Sequence, residues 1–208
     1  MTANKRGVTL IELLVAASIL SLVITMVLSF LVKSASWTQD IREYQGAEQD
    51  LSASLSRIAK GLQQAPAQSV LAFYPSTDPT QGDLILAWPT PYDPLGNYFQ
   101  DPDTFEPIFQ GYSIVYLDTA TRIVFTSYLP QTPTTAALQP LPADIQLAIN
   151  PSTDRPLTRK VDKFQVLHPI TEAPTSDVHN PCTIRLEIES VKSRDRTLVM
   201  TRELGFSF

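Results

Sequence analysis

The chain has 208 residues, of which 43% are apolar, and a formal net charge of −5. That apolar share is too high for a disordered chain, and the length suits one ordinary domain plus an extension. The first 33 residues set Lys5, Arg6 and Lys33 against Glu12, a net of +2, which leaves −7 on the rest; so acidic a remainder argues against non-specific nucleic-acid binding, which needs a basic footprint.

Two basic residues, Lys5 and Arg6, lead into Gly7, Val8, Thr9, Leu10 and Ile11, and Glu12 follows as a single acid. From Leu13 to Val32 there are 20 residues without a charge, a Gly or a Pro. A helix of that length spans roughly 30 Å, the thickness of a bilayer's hydrocarbon core. Basic residues before the run and none within it predict a cytoplasmic N-terminus, with the bulk of the chain across the membrane. A secretory signal peptide also has a basic start and an apolar centre, and Ser34, Ala35 and Ser36 would suit its cleavage site. Its apolar region is typically about 7–15 residues, shorter than this run, and Glu12 fits poorly within it. A mature chain beginning at Val8 or near Trp37 separates the two readings.

A charge buried at the bilayer centre costs roughly 2.5–3.5 kcal/mol, and less near the surface. Glu12 therefore needs a reason for its position. Gly7, Val8, Thr9, Leu10, Ile11 and Glu12 resemble the type IV prepilin leader, in which Gly is usually followed by Phe, then Thr, Leu, Ile or Val, and Glu. Val8 is the one departure. The resemblance implies a membrane-embedded aspartyl peptidase that cuts between Gly7 and Val8 and methylates the new amino terminus. Glu12 becomes the fifth mature residue, and the family pairs that acid with the amino terminus of a neighbouring subunit to set axial register. In a low-dielectric setting such a pair attracts far more strongly than in water. The plainer alternative is an interfacial carboxylate among lipid head groups.

Within the run, Ser18, Ser21, Thr25 and Ser29 share one helical face. They fit either a close-packing stripe between subunits or hydroxyls bonded back to their own helix. Beyond the membrane Trp37, Ile41, Tyr44, Leu51, Leu55, Ile58 and Leu62 repeat at an amphipathic helical spacing. Pro66 stops the pattern. One helix from Val8 to Gln64 would be roughly 85 Å long. The expected organisation is a leader at 1–7, a transmembrane or filament-core helix at 8–33, its amphipathic extension at 34–65 and a β-rich domain at 66–208.

Strands are expected at Ser69 to Tyr74 and at Asp83 to Trp88. A long loop with five prolines runs from Pro89 to Pro107. Tyr112 to Leu117 and Arg122 to Tyr128 read as a hairpin, and Pro130 to Pro142 as a second proline-rich loop. Val161 to Leu167 reads as a strand, as do Thr183 to Glu189 and Thr197 to Thr201, the last two joined through a turn at Lys192 to Arg196. The order is α+β: a long N-terminal helix packed on antiparallel β-structure with Pro-rich loops, which is also the pilin fold that the leader implies. Leu51, Leu55, Arg57, Leu62, Gln63, Gln64 and Ala65, with the strands from Tyr112 to Tyr128, loosely resemble minor pilins and pseudopilins of the PilW and GspJ type.

No catalytic set is visible: no nucleophile elbow, no zinc-protease motif, no phosphate-binding glycine loop and no cysteine pair. Cys182 is the only cysteine, so no intramolecular disulfide forms; it reads as a small apolar residue at a strand start. His168 and His179 read as loop histidines. Asp101, Asp103 and Glu106 carry the oxygen ligands that calcium prefers but lack the EF-hand spacing, and a solvated acidic loop is the default. Lys192, Arg194 and Arg196 suit a charged hairpin tip. Trp88, Tyr92, Tyr98, Phe99, Phe105 and Phe109 are expected to fold back as a satellite core, with a partner surface as the alternative. The expectation is a non-enzymatic assembly subunit without a cofactor: a minor pilin or pseudopilin of the inner membrane, whose partners are prepilin peptidase, other pilin subunits, the assembly platform and lipid. An exported or membrane-anchored binding domain that does not assemble is the alternative.

Overall fold

A computed structural model of the chain describes residues 9–176, 182–193 and 196–206. Helix α1 runs from Leu10 to Leu62 without interruption. It closes in a last turn, where Ala65 N–H donates to the Leu62 carbonyl at 3.0 Å, just before Pro66. The chain divides into two compact units, Met1–Gln45 and Gly46–Phe208. The second unit includes the last turns of α1, where Leu51, Ser54, Leu55, Ile58, Ala59 and Leu62 are buried.

In that second unit the β-structure forms two antiparallel sheets. The first holds β1 (Leu71–Phe73), β2 (Ile85–Thr90), β3 (Phe109–Asp118), β4 (Ile123–Thr134) and β5 (Arg155–Arg159), side by side in that order. The second holds β6 (Val161–Leu167), β7 (Pro174–Thr175), β8 (Cys182–Ser193) and β9 (Arg196–Phe206), in the order β7-β6-β8-β9. Every expected strand is present, and the hairpin from Tyr112 to Tyr128 is the β3–β4 pair. The turn between β8 and β9 and His179 lie outside the described residues.

Alternation along the strands sorts side chains to two cores. Leu84, Leu86, Trp88, Val115, Leu117 and Val124 join the buried stripe of α1, together with Phe164 and Val166 of β6 and Ile184, Leu186 and Ile188 of β8. Ile85, Ala87, Ile114, Tyr116 and Phe125 point to the opposite side, where Ile145 of α2 (Pro142–Ala148) covers them. Because β2 is buried on both faces along its whole length, it reads as a continuous apolar run instead of an alternating one.

Four elements depart from the sequence expectation. Strand β4 continues through Pro130 and Pro133 into the expected proline loop. β5 pairs only with Ile123–Thr126, so the far half of β4 is an edge on that side, where a missing N–H breaks no ladder. Pro89 extends β2 for the same reason, since β1 reaches only Ala87. Helix α2 opens with Pro142 at its first turn, a position where the lost N–H has no partner to lose. β5 itself, with Pro156 next to Arg155, is recruited as an edge strand by its neighbour, not by any apolar pattern.

The two sheets meet at Gly82. Its carbonyl accepts from Phe164 N–H at 2.7 Å, and Leu84 N–H donates to the Phe164 carbonyl at 3.3 Å. Gly82 has φ +73°, and a Cβ there would lie 2.5 Å from the Lys163 Cβ and 2.9 Å from its Cα. Backbone conformation and space both require glycine. Gly82→Ala is expected to destabilise the chain by about 1–3 kcal/mol through strain and overpacking. Urea unfolding of the detergent-solubilised chain, followed by tryptophan fluorescence, checks this; an unchanged midpoint would show the seam to be loose.

Candidate functional site

The N-terminal segment carries the candidate site. Gly7 and Val8 lie outside the described residues; Thr9 and Glu12 lie within them. Thr9 precedes the first helical residue, and its carbonyl accepts the first intrahelical bond, from Leu13 N–H at 3.2 Å. The Glu12 carboxylate accepts from Thr9 N–H at 2.9 Å and from the Thr9 hydroxyl at 3.1 Å. Glu12 N–H in turn donates to the Thr9 hydroxyl at 3.3 Å. This reciprocal arrangement is a capping box, Thr at the N-cap and Glu three residues on. The sequence reading missed it, although the Thr-x-x-Glu signature was present in Thr9 and Glu12. It changes the physical account of Glu12. The carboxylate satisfies two donors at the open end of its own helix and sits at the positive end of the helix dipole. Its remaining acceptor capacity faces outward, since residues 9 to 12 are exposed.

The apolar face of the first unit is uncovered. Leu10 is 84% exposed, Phe30 71% and Val32 69%. An 18-residue window of α1 has a mean hydropathy of 2.6, long and apolar enough to cross a membrane. Ser18, Ser21 and Thr25 each bond back to a carbonyl of their own helix, at 2.8–2.9 Å. Their hydroxyls are thereby satisfied without a partner helix. The amphipathic stripe is split: Leu51 onward is buried, whereas Trp37, Ile41 and Tyr44 are 73%, 56% and 43% exposed.

The remaining residues of interest lie away from this segment. Trp88 of β2 and Phe109 of β3 are strand residues and are buried, Trp88 in the core beneath α1. Tyr98, Phe99 and Phe105 are exposed, so the satellite core expected of the loop aromatics does not form. The loop is tied down by its acids instead. The Asp93 carboxylate accepts from the amides of Leu95 and Asn97, and that of Asp101 from Asp103 and Thr104 N–H. Among the described residues no group of three or more His, Cys, Asp or Glu side chains is placed to hold a metal ion. His168 Nδ1 accepts from Ile170 and Thr171 N–H, closing a turn. Cys182 opens β8.

Thr9→Ala is expected to remove about 1 kcal/mol of capping, so that amides at the start of α1 exchange roughly fivefold faster in micelles. Glu12→Gln retains an acceptor for the box and is expected to exchange nearly as slowly as the parent chain. Hydrogen exchange read by mass spectrometry checks both; loss of protection in Glu12→Gln with Thr9→Ala unchanged would show that charge, not capping, holds the helix start.

Residues 2–28 match the family described as the prokaryotic N-terminal methylation motif. No curated protein and no solved structure matches the chain. The matched segment contains Gly7, Val8 and Glu12 and continues into the uncovered apolar helix, and the motif and α1 together support a type IV pilin-like protein with an N-terminal helix long and apolar enough to anchor it in a membrane.

Proposed function

We propose that the protein is a minor pilin or pseudopilin: a non-enzymatic structural subunit of a type IV pilus or a type II secretion pseudopilus. The methylation motif over residues 2–28 carries this reading. In it, residues 1–7 are a leader, which prepilin peptidase removes between Gly7 and Val8, with methylation of the new amino terminus. Residues 8–33 cross the inner membrane with the N-terminus cytoplasmic, residues 34–65 extend the same helix, and residues 66–208 lie on the far side of the membrane. The assembly platform then extracts the chain from lipid, and neighbouring subunits replace lipid around α1.

Two physical observations support that sequence of events. Sixteen large apolar side chains between Leu10 and Val32 are exposed. Leaving them in water would cost on the order of 20 kcal/mol, more than a whole domain's typical stability of about 5–15 kcal/mol. They need lipid first and other helices later. The uncovered Trp37, Ile41 and Tyr44 extend the same requirement past the membrane, where only protein can meet it. Glu12 in this reading has two roles: its box with Thr9 closes the helix, and its outward oxygen receives the neighbour's amino terminus.

Gly7→Ala is expected to leave an uncut precursor, detected by mass spectrometry of the membrane fraction; a chain that still begins at Val8 would refute the processing step. Glu12→Ala and Glu12→Gln are both expected to insert in the membrane and to reduce recovery in sheared filaments at least tenfold, because both remove the charge. Normal recovery of Glu12→Gln, with loss only in Glu12→Ala, would assign Glu12 to capping alone and end its role in register.

A further inference from the structure

The face of the first sheet that carries α1 changes character along its strands. It is apolar from Leu86 and Leu117 to Trp88 and Val115. Past that line Thr90, Ser113 and Thr126 take the same face, Ser113 beside Trp88 and Thr126 beside Val115 in the strand register. A cleft of about 390 Å³ opens there. Its walls are Arg57, Gly61 and Gln64 of α1 on one side and Arg155 of β5 on the other. Gly61 sets its width, since a Cβ at that position would lie 2.6 Å from the Trp88 ring. A second lobe of about 420 Å³ adjoins it through Thr90, Tyr92, Ser113, Thr126 and Arg155. Both lobes have the size of small-molecule sites, roughly 300–1,000 Å³.

Charge is unequally divided between the lobes. The first contains two arginines and no acid, although the whole chain is acidic. Arg57 and Arg155 are exposed, and neither forms an ion pair among the described residues. The second lobe carries Asp93 and Asp154. Asp154 is held by the Tyr116 hydroxyl at 2.8 Å, the Ser127 hydroxyl at 2.9 Å and Asn150 N–H at 2.9 Å. The side chain and backbone amide of Asn97 hold the Asp93 carboxyl below its usual range. The rest of that lobe is rich in hydroxyls, including Ser127, Tyr128 and Thr153.

We propose that this two-lobed cleft binds an oligosaccharide bearing a carboxylate, with the carboxylate between Arg57 and Arg155 and a neutral sugar ring in the hydroxyl-lined lobe. Guanidinium forks match a carboxylate in geometry and charge. In the second lobe, hydroxyl side chains and the spare lone pairs of fixed aspartates suit the alternating donors and acceptors of a sugar ring, and the same aspartates repel a second carboxylate. A run of acidic peptide therefore fits worse than a chain in which acidic and neutral units alternate. The site lies wholly within the second compact unit and does not depend on filament assembly.

The test is calorimetric titration of the full-length chain in neutral detergent at low salt. The probes are a hyaluronan tetrasaccharide, which alternates acidic and neutral rings, neutral chitotetraose and tetraglutamate. Saturable binding of the first is expected, with the other two at least tenfold weaker. Arg57→Gln and Arg155→Gln each remove a charge-assisted hydrogen bond and are expected to weaken binding about tenfold or more. Both positions are exposed, so the fold survives, and Lys60→Gln, outside the cleft on the same helix, leaves affinity unchanged. Absence of binding by the hyaluronan tetrasaccharide overturns the proposal. So does equal affinity for tetraglutamate, unchanged affinity in the double arginine variant, or an equal loss in Lys60→Gln.

Discussion

An apolar helix surface that the chain itself does not cover is the constraint on which the rest of the structure depends. Between Leu10 and Val32 every large side chain is exposed, and the described residues leave the run uncovered. The environment must supply the cover. A helix satisfies its own backbone hydrogen bonds along its interior, which is why this segment tolerates lipid. Its open end is the remaining difficulty, and the Thr9–Glu12 box meets part of it from within the chain.

The same helix organises the globular unit through its last turns. Leu51, Leu55, Ile58 and Leu62 continue the stripe that begins with Trp37, but here the two sheets bury it. One periodic pattern thus serves two environments, covered by β-structure at one end and left open at the other. Beside the last turns of α1 the sheet face turns from Leu86 and Val115 to Thr90, Ser113 and Thr126. The polar continuation is left open, and Gly61 against Trp88 keeps the helix close enough to form one wall of a cleft.

Much of this architecture was legible in the residues. Helix α1 follows from an unbroken run free of Gly and Pro to Gly46, and its end from Pro66. The β3–β4 and β8–β9 pairs follow from β-branched and aromatic alternation. Strand β5, the short helix α2 and the passage of β2 and β4 through prolines were not legible. Each is decided by which neighbour is hydrogen-bonded on which side, as at Pro130, opposite Gly111 on β3 and beyond the reach of β5. The loop aromatics were misread because local composition does not say whether a segment is held by burial or, as here, by Asp93 and Asp101 gathering backbone amides.

The sequence alone determined the membrane-length helix, the N-terminal methylation motif over residues 2–28 and the α+β order, because those rest on periodicity, length and short-range spacing. The tertiary structure decided that the β-region divides into two sheets meeting at Gly82, that Glu12 is engaged with Thr9, and that Arg57 and Arg155 flank one cleft. Those facts join residues up to about a hundred positions apart or depend on side-chain geometry at a helix end, and neither is encoded in any local pattern that a linear reading can count.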